Sequence, residues 1–101
     1  MNPTIDCRSA LQDAFDATAV AFRAAPRGSV ERAAADIRCR ALIAAIVECD
    51  DLTVANADAR AVVCGTIRDT PERAAAEQSL DAVLASQAAF ITTATALIDG
   101  M

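Results

Sequence analysis

The most reactive side chains in this sequence are four cysteines, in a chain that has no histidine. They stand at Cys7, Cys39, Cys49 and Cys64. No two are separated by only two residues, as zinc and redox motifs require, and a mixed zinc site would need histidine. We therefore expect neither a metal nor a cofactor at these positions. Free thiols in the protein core are the favoured interpretation, and disulfides are the alternative.

Acid–base chemistry has few candidates, because lysine, tyrosine and tryptophan are missing as well as histidine. These residues supply the commonest general bases, Schiff-base formers and stacking platforms. One acidic cluster, ECDDL with Glu48, Asp50 and Asp51, could bind a hard cation through its oxygens. A solvated turn is the favoured interpretation, since acids are also common at helix starts. The sequence thus predicts no catalytic residue and no enzyme.

Two arginines, Arg38 and Arg40, fall close to an apolar segment, ALIAAIV. A guanidinium in such surroundings needs a carboxylate beside it. We expect structural ion pairs with Asp13, Asp16 or Asp58, and anion binding is the less favoured alternative.

Composition and charge narrow the classes of function. The chain has 101 residues and predicts one domain, residues 1–101, that is alanine-rich and acidic, with net charge −5. This charge argues against a nucleic-acid footprint and an anionic membrane surface. The N-terminus lacks the features of a signal peptide, and no unbroken apolar run is long enough to span a membrane. We expect a cytoplasmic protein; paired cysteines and a removed signal peptide would instead indicate a secreted or periplasmic one.

Helix breakers divide the chain into four segments. They fall at Pro3, at Pro26 with Gly28, at Asp50 with Asp51, at Thr70 with Pro71, and at Gly100. Predicted helices begin after caps at Asn2, Ser29, Thr53, and Asp69 or Thr70, and end near residues 25, 49, 68 and 99. Because the connections are short, the sequence predicts an all-α fold, an antiparallel up-and-down four-helix bundle with a long C-terminal helix.

The predicted bundle places the cysteines in two level pairs. Counted in residues, Cys7 on the first helix and Cys49 on the second lie about equally far from the first turn. Cys39 on the second helix and Cys64 on the third lie equally far from the second turn. Disulfides between Cys7 and Cys49 and between Cys39 and Cys64 are therefore allowed, each adding about 2–4 kcal/mol in an oxidising compartment.

The C-terminal helix of this arrangement extends beyond its neighbours. Counting about 1.5 Å per residue, residues 87–99 would project about 18 Å past the other three helices. Apolar side chains on this overhang would need a covering surface. We expect an interface formed by Phe90, Ile91, Ala94, Leu97 and Ile98. In the alternative, the last helix bends or the third helix is longer, and the tail packs on its own core.

These features predict a non-enzymatic helical interaction or structural protein, self-associating through its C-terminal helix as a homo-oligomer, specifically a dimer. Another protein is the alternative partner, with no nucleic acid and no membrane span. Two other functions stay open. One is a protein that binds a hydrophobic ligand or peptide, and the other is an acidic inhibitor or immunity-type protein that covers a basic partner.

Overall fold

The described part of the chain forms three helices, and each runs antiparallel to the one before it. The computed structural model describes residues 3–99, and the side chains of residues 7–99. Helix α1 spans Pro3–Ala24, α2 spans Val30–Gly65 and α3 spans Pro71–Asp99. Within residues 3–99 the structure contains no strand. The all-α class is confirmed.

Two of the predicted helix starts are found where the sequence placed them. The Ser29 hydroxyl accepts a hydrogen bond from the N–H of Arg32 at 3.1 Å. The Thr70 hydroxyl accepts one from the N–H of Arg73 at 3.2 Å. Each bond satisfies a backbone donor that the first helical turn leaves unpaired. The predicted cap at Asn2 lies outside the described residues.

The two turns each contain one residue in the left-handed backbone region. Gly28 has φ 78° between α1 and α2, and Asp69 has φ 64° between α2 and α3. Glycine adopts this conformation without a steric penalty, whereas aspartate is tolerated there because its short side chain forms local hydrogen bonds. Both turns therefore reverse the chain within a few residues, which makes neighbouring helices antiparallel.

The prediction of four helices is wrong, because α2 continues through Asp50 and Asp51. Aspartate in a helix interior costs only about 0.7 kcal/mol relative to alanine, far less than proline. Asp50 is held by Arg8 of α1, with 3.2 Å between Nε and Oδ1. Thr53, predicted as a cap, instead donates its hydroxyl to the Cys49 carbonyl at 2.9 Å. The fold is a three-helix bundle with a 36-residue central helix.

The continuous helix also fixes which side chains face inward in its second half. Leu42 and Cys49 are fully buried, and the same seven-residue spacing leads to Asn56 and Val63, both half-buried. Six residues in the segment that was predicted as a separate third helix are therefore exposed. They are Val54, Ala57, Ala61, Val62, Cys64 and Ile67.

Interhelical hydrogen bonds set the register of the three helices. Asn56 Nδ2 donates to Gln87 Oε1 at 2.7 Å, so at equal rise Asp99 lies opposite about residue 44 of α2. The contact between Arg8 and Asp50 places Pro3 opposite about residue 55 of α2. All three helices contribute to one core cluster, and the α2 residues in or against this cluster, the shared segment, lie between Leu42 and Leu52.

The core occupies this shared segment, and the C-terminal tail belongs to it. Phe90 and Ala94 are 5% and 1% exposed, and Ile91, Leu97 and Ile98 pack against the same cluster. The predicted overhang does not exist, because the longer α2 provides the surface that these side chains cover. The self-association prediction for these five residues therefore loses its basis.

Beyond the shared segment the molecule consists of two arms, each built from two helices. We call residues 15–24 with 30–43 the N-arm, and residues 56–65 with 71–86 the C-arm. The molecule measures 62 × 20 × 16 Å with a radius of gyration of 18.0 Å, against about 13 Å for a compact domain of this length. The N-arm shares Phe15 and Leu42 with the core cluster, and no described residue of α3 lines the groove on its open face.

Candidate interaction surface

A groove runs between α1 and α2 in the N-arm and has a volume of about 370 Å³. Its α1 wall is formed by Phe15, Ala19, Phe22 and Arg23, and its α2 wall by Asp36, Cys39, Arg40 and Ile43. On both helices these positions are separated by one, three or four residues, so each set occupies one helix face. We call this feature the α1–α2 groove.

Apolar side chains form the interior of the groove. Phe15 packs against the hydrophobic core at one end, and Phe22 is half-buried towards the other. The Arg32 guanidinium lies 4.1 Å from the centre of the Phe22 ring, and its Nη1 donates to the Ala25 carbonyl at 3.1 Å. This cation–π contact and hydrogen bond hold the ring in place, so the groove exists before any ligand binds.

Charged side chains stand along both edges of the α1–α2 groove. On α2, Arg40 forms an ion pair with Asp36 at 3.3 Å. On α1, Arg23 is exposed and donates Nε to the Ala19 carbonyl at 3.3 Å. The guanidinium of Arg23 has no carboxylate partner among the described residues. The edges combine one neutralised arginine with one available positive charge.

Aliphatic side chains continue from the groove along the outer face of α2. Ile43, Val47 and Val54 are 48%, 53% and 60% exposed. At about 100° per residue they lie within about 40° of one another around the helix. Other exposed aliphatic residues are Val20, Val30, Ile37, Val62, Ile67 and Leu84. Exposed apolar surface marks binding sites where it is contiguous, and the contiguous part here is Ile43 with Val47, because the exposed Asp50 separates Val47 from Val54.

The two cysteine pairs that were predicted from their equal heights in the bundle have different outcomes. Cys7 and Cys49 lie in the same core cluster on neighbouring helices. Burial raises the pKa of both thiols, and the nearby Cys7 and Asp50 raise the pKa of Cys49 further, while Arg8 opposes this. Cys39 and Cys64 are both on α2, 25 residues apart, which is about 38 Å along a helix. They cannot form the predicted disulfide within one chain.

The structure does not bring the two arginines, Arg38 and Arg40, or the acidic cluster into the arrangements predicted for them. Arg40 pairs with Asp36, and neither of the two arginines pairs with Asp13, Asp16 or Asp58. Arg38 Nε and Nη2 are shielded from solvent without a hydrogen-bond partner in the described part of the chain. Among the described residues, the acidic cluster at residues 48–51 forms no group able to hold a metal ion.

The expectation that the chain contains no possible membrane span is wrong for α3. Pro71–Asp99 contains an 18-residue window of mean hydropathy 1.4, of which 17% is buried. By length and composition this helix is able to cross a bilayer. The sequence contains no unbroken apolar run of this length here, because Ser86, Gln87 and three threonines at 92, 93 and 95 interrupt the apolar residues. No charged residue occurs between Asp81 and Asp99.

The α1–α2 groove was not predicted as a site. The sequence places Phe15 and Phe22 on an apolar stripe of α1, which favours a core position, and gives no sign that α3 stops short of them. Comparison with protein-family models, with curated proteins and with solved structures finds no match to this chain. Arguments about function therefore depend on the geometry alone.

Proposed function

We propose that this protein is a non-enzymatic helical interaction module that binds an amphipathic helical segment in the α1–α2 groove. The observation that carries the proposal is an apolar groove with Phe15, Phe22 and Ile43 in its walls, on an open face that no described residue of α3 lines. Two packed helices with an open apolar groove are the usual receptor for a third, amphipathic helix.

The contacts of α3 with the other two helices support this mode of binding. In the shared segment, α3 places Phe90 and Ala94 against the core residues of α1 and α2. A helical peptide in the groove would bury Ile43 in the same manner and extend along Val47. Each large aliphatic side chain that becomes fully buried contributes about 1.5–3 kcal/mol before the entropy of association is subtracted.

The cysteines provide a direct assay for occupancy of the groove. Cys39 lines the groove, whereas Cys64 is exposed at the far end of α2. Alkylation with iodoacetamide, followed by mass spectrometry of peptides, reports both thiols in one sample. The probe is a designed helical peptide with a leucine face and uncharged polar positions. We expect it to slow alkylation of Cys39 and to leave Cys64 unchanged.

A matched pair of variants tests the site. Ile43→Asp places a carboxylate in the groove wall, and Val62→Asp makes the same change at a comparably exposed position of the C-arm. Ile43→Asp should abolish protection of Cys39 by the peptide, while Val62→Asp should retain it. Circular dichroism verifies that both variants keep the helical content of the parent. Equal protection in both variants would refute the assignment of the groove.

A further inference from the structure

We infer that the α1–α2 groove selects an acidic amphipathic helix; this inference rests on the proposed function and specifies its partner. The chain as a whole carries −5, but residues 15–43, which are the N-arm and its turn, contain five arginines and three carboxylates, a local charge of +2. The remaining residues therefore carry −7. The N-arm is a basic surface on an acidic protein, and charge complementarity favours an acidic occupant.

The available positive charges flank the apolar interior. Arg23 stands on the α1 edge and Arg27 follows in the adjacent turn, both exposed. Arg40 on the opposite edge is neutralised in part by Asp36. An acidic helix would therefore place its apolar face between the two walls, with carboxylates towards Arg23 and Arg27.

The charge changes sign further along α2. Beyond Val47 the exposed side chains include Glu48, Asp50, Asp51 and Asp58, and these would repel an acidic helix. The attractive region thus extends from the first turn to about residue 47, about 26 Å from Val30 along the helix axis. This length accommodates about five helical turns at 5.4 Å each.

A peptide helix fits this surface better than a lipid bilayer does. The apolar side chains Phe15 and Phe22 lie in the groove between two helices, so a flat membrane surface would reach the edges before the interior. A helix is narrow enough to enter between the two walls, where its side chains can contact the phenylalanines. Anionic vesicles are therefore a control that distinguishes the two occupants.

The experiment compares two designed peptides with the same leucine face, one with glutamate and one with lysine at every polar position. Fluorescence anisotropy of each labelled peptide measures its Kd for the full chain. We expect the glutamate peptide to bind about tenfold more tightly at about 0.1 M salt, as a few exposed ion pairs supply. The ratio of the two Kd values should approach one at about 1 M salt, because the Debye length is then about 3 Å and exposed charges are screened from one another.

Two double arginine variants test which arginines produce the preference for the glutamate peptide. Arg23→Gln with Arg27→Gln should reduce the preference to less than about threefold, while Arg60→Gln with Arg68→Gln, on the other side of the molecule, should leave it unchanged. Equal or tighter binding of the lysine peptide overturns the acidic selection and leaves the groove function intact. If neither peptide protects Cys39 from alkylation, both proposals fail. Stronger protection by phosphatidylglycerol vesicles than by the glutamate peptide overturns the inference in favour of a lipid surface.

Discussion

Phe90 provides the sharpest test of the three-helix arrangement. Its side chain is 5% exposed and lies in the core cluster with Leu11, Leu42 and Cys49. Truncation of a buried phenylalanine to alanine costs about 3–5 kcal/mol, through lost burial and a residual cavity. Domains of this size are stable by about 5–15 kcal/mol in total. Phe90→Ala should therefore remove a large part of the free energy of unfolding.

Urea denaturation followed by circular dichroism at equilibrium measures this loss. With a slope of about 1–3 kcal/mol per molar urea, the midpoint should fall by at least about 1 M. The control is Leu84→Ala on the same helix, where the side chain is 39% exposed and the expected change is less than about 1 kcal/mol. If both variants lost less than about 0.5 kcal/mol, the tail would not be packed against its own chain, and the shared core described above would be wrong.

The turns and the buried thiols give further expected results. Gly28→Ala should destabilise the protein by about 1–2 kcal/mol, because φ 78° is sterically unfavourable for alanine. Asp69→Gly should stabilise it by about 0.5–1 kcal/mol, because glycine adopts φ 64° without a steric penalty. Thermal melts of both variants measure the direction of each change, and a change in the same direction for both would contradict the backbone argument. Because burial raises the pKa of Cys7 and Cys49 in the folded state, the unfolded chain loses these protons first. The resulting stability is present below the unfolded value of 9.0 and is lost as pH rises through the folded values. Urea titrations from about pH 8 to about pH 10 should show this fall, and Cys49→Ala should flatten it while Cys64→Ser should not.

Local signals in the sequence predicted the helix starts, since capping depends on residues close together in the chain. Ser29 and Thr70 each bond to a backbone N–H three residues later, and this geometry needs no tertiary partner. The break at Asp50 and Asp51 was different. Two aspartates lower helix propensity without excluding helix, so their conformation is decided by contacts elsewhere, such as the packing of Cys49 and Leu52 with the core on either side of them. No local rule contains those contacts.

A longer-range pattern in the sequence does indicate that α2 is one continuous helix. Positions 42, 49, 56 and 63 are Leu, Cys, Asn and Val, and all four are at least half-buried. A seven-residue spacing that passes through residues 50 and 51 without a shift is typical of one continuous helix. Testing each candidate break against this spacing would have favoured three helices. The polar members, including Asn56 with its partner Gln87, make such a pattern difficult to see in apolar residues alone.

The candidate site follows from the unequal lengths of the helices. Helix α2 has 36 residues, while α1 has 22 and α3 has 29. Since α1 and α3 pair with α2 from opposite ends, they overlap only in its middle, and each end keeps an uncovered two-helix face. In the N-arm this face carries two phenylalanines and an excess of arginine, whereas the C-arm has smaller side chains around Ala76. The same mismatch that refutes the C-terminal overhang therefore leaves the α1–α2 groove as the surface with both the shape and the charge for a partner helix.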